Sequence, residues 1–153
     1  MPATIKNIMC TTPTWLPQTA TVQEAAKTML ELDCGFIPVG ENDKISGIVT
    51  DRDIATRAVA KGLPATTPLS EVMSSEKVLY CYETDSTTEV ANNMAENQVR
   101  RLIVLNNPTD KKLCGIVSVC DIVTANKTEA ATCQHLVKSI STSSTKNNQS
   151  KAA

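Results

Sequence analysis

Two short signatures carry the chemistry-bearing side chains of this chain. Thr50-Asp51-Arg52-Asp53 and Ser118-Val119-Cys120-Asp121 each set a hydroxyl three residues ahead of a carboxylate. At a strand-to-helix junction this spacing makes a capping box: the hydroxyl accepts from the amide of the aspartate, and the carboxylate reaches back to the amide of the capping residue. Nothing around them reads as a catalytic set. His135 is the only histidine, no plausible Ser/His/Asp or Cys/His set is read around it, and neither a G-x-G-x-x-G nor a Walker loop is present. The six cysteines (Cys10, Cys34, Cys81, Cys114, Cys120 and Cys133) form no C-x-x-C pair, and zinc-site spacing is absent. They read as reduced thiols, several of them serving as small hydrophobes in strands. Cys120, in the first turn of a helix, keeps a redox reading open.

The elements that must position these signatures occur twice. Ile-Lys-Asn-Ile-Met9 returns as Leu-Ser-Glu-Val-Met73, an offset of 64; Met29 returns as Met94, an offset of 65; Gly47 returns as Gly115, an offset of 68. The additional residues fall in the loop 106–112. Each half reads as β-α-β-β-α. Val22, Ala25, Ala26, Met29 and Leu30 recur at helical spacing to give one apolar face, as do Thr87, Val90, Ala91 and Met94. Both helices open on a capping box, Thr21 with Glu24 and Ser86 with Glu89. Phe-Ile-Pro-Val39 and Ile-Ser-Gly-Ile-Val49 are short β-rich runs separated by turn formers, a hairpin pattern that the second half repeats. Gly62 is placed to end the helix that follows Asp53.

Composition agrees with a globular chain of two small, mutually packed repeats. Of the 153 residues, 41% are hydrophobic, 20% charged and only 3% aromatic, so the core must be aliphatic. One repeat of ~60 residues has little core of its own, which predicts two sheets meeting about a pseudo-two-fold axis. The boundaries read as 1–62 for the first repeat, 63–68 for an extended proline-bearing linker, 69–127 for the second repeat, 128–140 for a helical extension and 141–153 for a polar, disordered tail. A net charge of −1 without a basic stripe gives no support for nucleic-acid binding. No run of ~18 apolar residues is present to cross a membrane, and residues 1–9 lack the apolar core of a signal peptide, so a cytoplasmic location is expected.

The leaders K-N-I-M and S-E-V-M, the E-A-A-x-x-M helix, G-F-I-P-V and the endings G-I-V-T-D-R-D-I and G-I-V-S-V-C-D-I closely resemble a tandem pair of CBS domains, or Bateman module. The resemblance covers about residues 5–124. It implies an α/β fold of two β-α-β-β-α units with two clefts between them. It further implies a non-catalytic sensor for AMP, ADP, ATP or another adenosyl ligand, with a divalent cation accompanying ATP, a homodimeric assembly and a separate regulated protein. A ligand-independent dimerisation adaptor is the competing reading.

By that resemblance, Asp53 and Asp121 accept hydrogen bonds from ribose hydroxyls, and Thr50 and Ser118 help hold ribose or phosphate. A vicinal diol offers two donors and a carboxylate two acceptors, so the match is physical. Helix N-terminal amides beside them favour phosphate. Arg101 would pair with phosphate, whereas its counterpart Phe36 cannot, so the two clefts are unequal and the one with Ser118, Asp121 and Arg101 is expected to be the better nucleotide site. Thr14 and the backbone near Cys34 and Gly35 would complete it. The other cleft would use Thr50, Asp53, Val78 and the backbone near Val99 and Arg100, with Phe36 adding apolar surface. Arg52 and Arg57 are further candidates to neutralise phosphate. The sequence departs from the family pattern at Ile103, where the first repeat has Pro38, and at Cys10, where the family usually has Thr.

Overall fold

A computed structural model describes residues 3–125 and 133–138. The fold is mixed α/β, and it divides into two compact units that are not simple halves of the chain. One contains Thr14–Leu79; the other joins Met1–Pro13 to Tyr80–Ala153.

In the Thr14–Leu79 unit, α1 (Val22–Leu32) leads into strand β1 (Phe36–Glu41) and its antiparallel partner β2 (Lys44–Thr50). The turn between them is made by Asn42 and Asp43, both at positive φ, the geometry of a two-residue hairpin. Trp15 donates from Nε1 to Asp43 Oδ1 at 3.1 Å and pins that turn. Helix α2 follows β2 at once, starting as Asp51–Asp53 and continuing with wider, π-type bonding over Ile54–Val59. Gly62 at φ +68 closes its end, with Leu63 N donating to Ala58 O.

The second unit repeats the plan. Strand β3 (Tyr80–Tyr82) runs parallel to β4 (Arg101–Leu105), which pairs antiparallel with β5 (Leu113–Ser118). Helix α3 (Thr87–Asn97) separates β3 from β4, and α4 (Val119–Ala125) follows β5. The longer β4–β5 loop is closed by Asn106 and Asn107, whose side-chain oxygens accept from amides at 107, 109, 110 and 112.

Sequence rules account for the helix ends. Thr21 and Ser86 cap α1 and α3, with Glu24 and Glu89 bonding back to the capping amides. These bonds hold both glutamates below the usual carboxylate range. The C-termini also match: Asp33 and Gln98 adopt left-handed backbone, and the next amides return to Met29 O and Met94 O. The apolar stripe of α1 is narrower than its spacing predicts. Val22, Ala25 and Met29 are buried, but Ala26 is exposed and Leu30 is 82% exposed, because each lies one residue, about 100°, around the helix from a buried neighbour.

The two leaders explain the discontinuous units. Cys10 bridges to Ile116 beside β5, and Ser74 bridges to Ile48 beside β2. Each leader therefore extends the sheet of the other half of the sequence. Gly115 and Gly47 permit this. A Cβ at Gly115 would lie 2.5 Å from Met9 Sδ and 2.8 Å from Cys10 O, and one at Gly47 would lie 2.9 Å from Ser74 O.

The linker is not simply extended. Thr67 closes a turn on Pro64 O through both its amide and its hydroxyl, and the returning chain accepts from the Val22 and Gln23 amides through Thr67 O and Ala65 O. Uncapped amides of α1 thereby attract the linker into a turn. The aliphatic core of this unit gathers Val22, Ala25, Met29, Ile37, Val39, Val49, Leu69 and Val72. The helical extension proposed for 128–140 is helical over 133–138, with Leu136 fully buried; its other residues and the tail 141–153 lie outside the described residues.

Candidate functional site

Both hydroxyl–carboxylate signatures fold as capping boxes at the junction of a strand and a helix. The Asp53 amide donates to Thr50 Oγ1 at 3.1 Å, and the Thr50 amide donates to Asp53 Oδ2 at 3.0 Å. At the second junction the Asp121 amide donates to Ser118 Oγ at 3.2 Å, while the Ser118 amide and hydroxyl both reach Asp121 Oδ2 at 2.7 Å. In each case one carboxylate oxygen is committed to the cap.

The other oxygen separates the two sites. Asp53 Oδ1 lies 3.6 Å from Arg57 Nε, one turn along the helix. Arg57 is anchored in turn, since Nη1 donates to Val72 O and Met73 O at 3.2 Å each. Ala125 stands where Arg57 would be repeated, and Asp121 Oδ1 has no hydrogen-bond or ion-pair partner among the described residues. Asp53 is the more buried carboxylate, at 9% exposure, and Asp121 is half-buried.

The sheet register sets what faces each signature. Arg101 is the direct antiparallel partner of Ser118, and Phe36 is that of Thr50. Directly opposed residues share a face, so an exposed guanidinium borders one signature and an aromatic ring the other. The first helical residues differ as well. Asp51 N donates to Gly35 O at 3.0 Å, and Val119 N makes the matching bond to Arg100 O at 2.9 Å. The Asp51 carboxylate lies over Gly35, where a Cβ would be 2.5 Å from Oδ2.

The expected site residues are thus divided. Thr14, Cys34, Gly35, Phe36, Thr50, Asp53 and Val78 belong to the Thr14–Leu79 unit, and Val99, Arg100, Arg101, Ser118 and Asp121 to the other. Within the first, Phe36 and Gly35 meet the Thr50–Asp53 junction; within the second, Arg101 and Arg100 meet Ser118–Asp121. Thr14 is exposed and Val78 half-buried. Arg57, read from sequence as a helix-surface candidate for phosphate, is instead tied to Asp53 and to the second leader. An open depression of about 500 Å³ beside it is lined by Met73, Ser74, Ser75, Glu76 and Lys77. The proximity of Asp51 to Gly35 escaped sequence reasoning, although the extra acid of the first signature was visible. Among the described residues, no three His, Cys, Asp or Glu side chains gather to hold a metal ion, and no helix is long and apolar enough to cross a membrane.

The CBS domain family model matches residues 5–60 and again 69–127. The chain is 38% identical over 120 residues to the CBS domain-containing protein YhcV of Bacillus subtilis, covering 78% of this chain and 83% of that one. It is 34% identical to hypoxic response protein 1 of Mycobacterium tuberculosis, covering 78% of this chain and 82% of that one. The crystal structure of hypoxic response protein I with two coordinated zinc ions superposes with a TM-score of 0.70 over 80% of this chain and 98% of that one. The CBS domain pair of protein MJ0100, in complex with 5′-methylthioadenosine and S-adenosyl-L-methionine, superposes with a TM-score of 0.71 at 25% identity, over 82% of this chain and 96% of that one. With two matched repeats, a shared fold and relatives matched over most of their length, this chain belongs to the CBS domain family as a tandem pair.

Proposed function

We propose that this CBS pair is a non-catalytic regulatory module that binds an adenosyl ligand and modulates a partner protein. Its repeats span 1–62 and 69–127, joined by 63–68, and it works in the cytoplasm as a homodimer. Ribose is held by the carboxylates of the two signatures, and the stronger nucleotide site is that of Ser118, Asp121 and Arg101. The observation carrying this reading is the state of Asp121. Its Oδ2 is used in the cap, while Oδ1 has no partner among the described residues and is available to a diol. Arg101, opposite Ser118, supplies a fork of donors for a phosphate. Mg2+ would arrive only with a triphosphate. The adenosyl ligands of the MJ0100 pair support the ligand class.

Ligand bound at these junctions shifts a partner only if it favours one conformation over another. The completeness of both capping boxes favours a second reading, in which the signatures serve structure alone and the pair is a ligand-independent adaptor. Calorimetric titration with AMP, ADP, ATP, NAD and S-adenosylmethionine separates the two. The sensor reading expects micromolar binding that Asp121→Ala abolishes. Absence of binding by every ligand, to folded protein free of co-purified nucleotide, overturns the sensor reading and favours the adaptor.

A further inference from the structure

Three differences between the repeats fall at equivalent places around the two signatures. Phe36 opposes Thr50 where Arg101 opposes Ser118. The Asp51 carboxylate lies over Gly35 where Val119 accompanies Arg100. Arg57 is spent on Asp53 and on two backbone carbonyls, and Ala125 replaces it in the other repeat. Around Thr50 the acids Asp51 and Asp53 therefore balance Arg52 and Arg57. Around Ser118, the corresponding positions carry one acid, Asp121, against two bases, Arg100 and Arg101.

We infer that the Thr50–Asp53 site is selective against phosphate and takes an adenosyl ligand whose 5′ substituent is uncharged or cationic, such as a thioether or a sulfonium. This rests on the ribose-binding reading proposed above. Asp53 Oδ2 is held by the Thr50 amide and Oδ1 lies 3.6 Å from Arg57 Nε, so a diol at this site shares Oδ1 with Arg57. Phe36 offers apolar surface to a thioether and no donor to a phosphate. Asp51 places an anion at the position where its counterpart is neutral and the neighbouring backbone carries Arg100. An anion brought beside Asp51 is repelled, and a sulfonium is attracted. Asp51 is exposed, so the discrimination is screened by salt and amounts to about tenfold at low ionic strength. The two signatures of one chain then read different molecules: a phosphorylated nucleotide at Ser118–Asp121 and an unphosphorylated adenosyl compound at Thr50–Asp53.

The test uses the full chain, freed of bound nucleotide, and titrates AMP and 5′-methylthioadenosine into wild type and into Arg101→Ala/Asp121→Asn, which silences the second signature while retaining a capping amide. The silenced protein is expected to bind 5′-methylthioadenosine about tenfold more tightly than AMP at low salt, with the gap narrowing as salt is raised. Adding Asp51→Asn, or separately Phe36→Arg, is expected to close most of that gap. Equal binding of both ligands by the silenced protein overturns the inference, as does loss of both, or a gap that neither added substitution changes. In those cases binding to wild type leaves the regulatory reading standing. Failure of wild type to bind either ligand overturns the inference, and the regulatory reading falls with it only when ADP, ATP, NAD and S-adenosylmethionine also fail to bind.

Discussion

Arg101 stands directly opposite Ser118 in the antiparallel β4–β5 register, one residue before the chain turns from strand into helix. That pairing puts a guanidinium on the face that the Ser118 hydroxyl occupies. Arg101→Ala is expected to weaken phosphate-bearing nucleotides by about tenfold to a hundredfold, the value of one charge-assisted contact. Binding of 5′-methylthioadenosine should change far less. Parallel titrations of the two ligands check this, and an equal loss for both would show that Arg101 acts through the fold rather than on phosphate.

Arg57 ties Asp53 to the second leader through Val72 O and Met73 O. Arg57→Ala leaves a nearly buried carboxylate with less compensation and two carbonyls without that donor. Hydrogen exchange should rise across residues 72–77, and thermal stability should fall by about 1–2 kcal/mol. Arg57→Lys should recover only part of this, because an ammonium cannot fork between the carboxylate and the carbonyls.

The leaders lie against glycine in both sheets. Gly115→Ala drives a methyl into Met9 and Cys10 O, and Gly47→Ala drives one into Ser74 O. Each is expected to destabilise the fold by about 1–3 kcal/mol, the usual cost of overpacking, measurable by denaturant unfolding. Alanine at Gly62 meets no neighbour, and its cost arises only from the left-handed backbone at φ +68.

Cys81 is buried on β3, and desolvation pushes its thiol up to about 12. Its folded pKa thus lies above that of an unfolded thiol, near 8.5. Above about pH 8.5 the unfolded chain releases a proton that the folded chain keeps, so stability falls as pH rises between there and about 12, by at most about 1.4 kcal/mol per pH unit. Cys81→Ala should flatten this alkaline slope in pH-dependent melts. Alkylation of the native protein should modify the exposed Cys10 and Cys120 well before Cys81.

What the sequence determined by itself was local or duplicated. A capping box needs only four residues in order, so the starts of α1, α3 and both signature helices were legible, as was the hairpin at Asn42-Asp43. Duplication of the G-I-V endings showed two repeats, and from these motifs the family could be recognised. The tertiary structure decided the rest, because it depends on residues far apart in the chain. Cys10 beside Ile116 and Ser74 beside Ile48 are choices between equivalent sheet edges, made by packing rather than by local propensity. Leu30 faces outward because the partners of α1 cover only part of its apolar arc. The contrast between Asp53, shared with Arg57, and Asp121, with one oxygen uncommitted among the described residues, rests on how each carboxylate sits against its neighbours. Two signatures that read almost alike in one dimension acquire different chemistry once opposing strands and helix neighbours surround them.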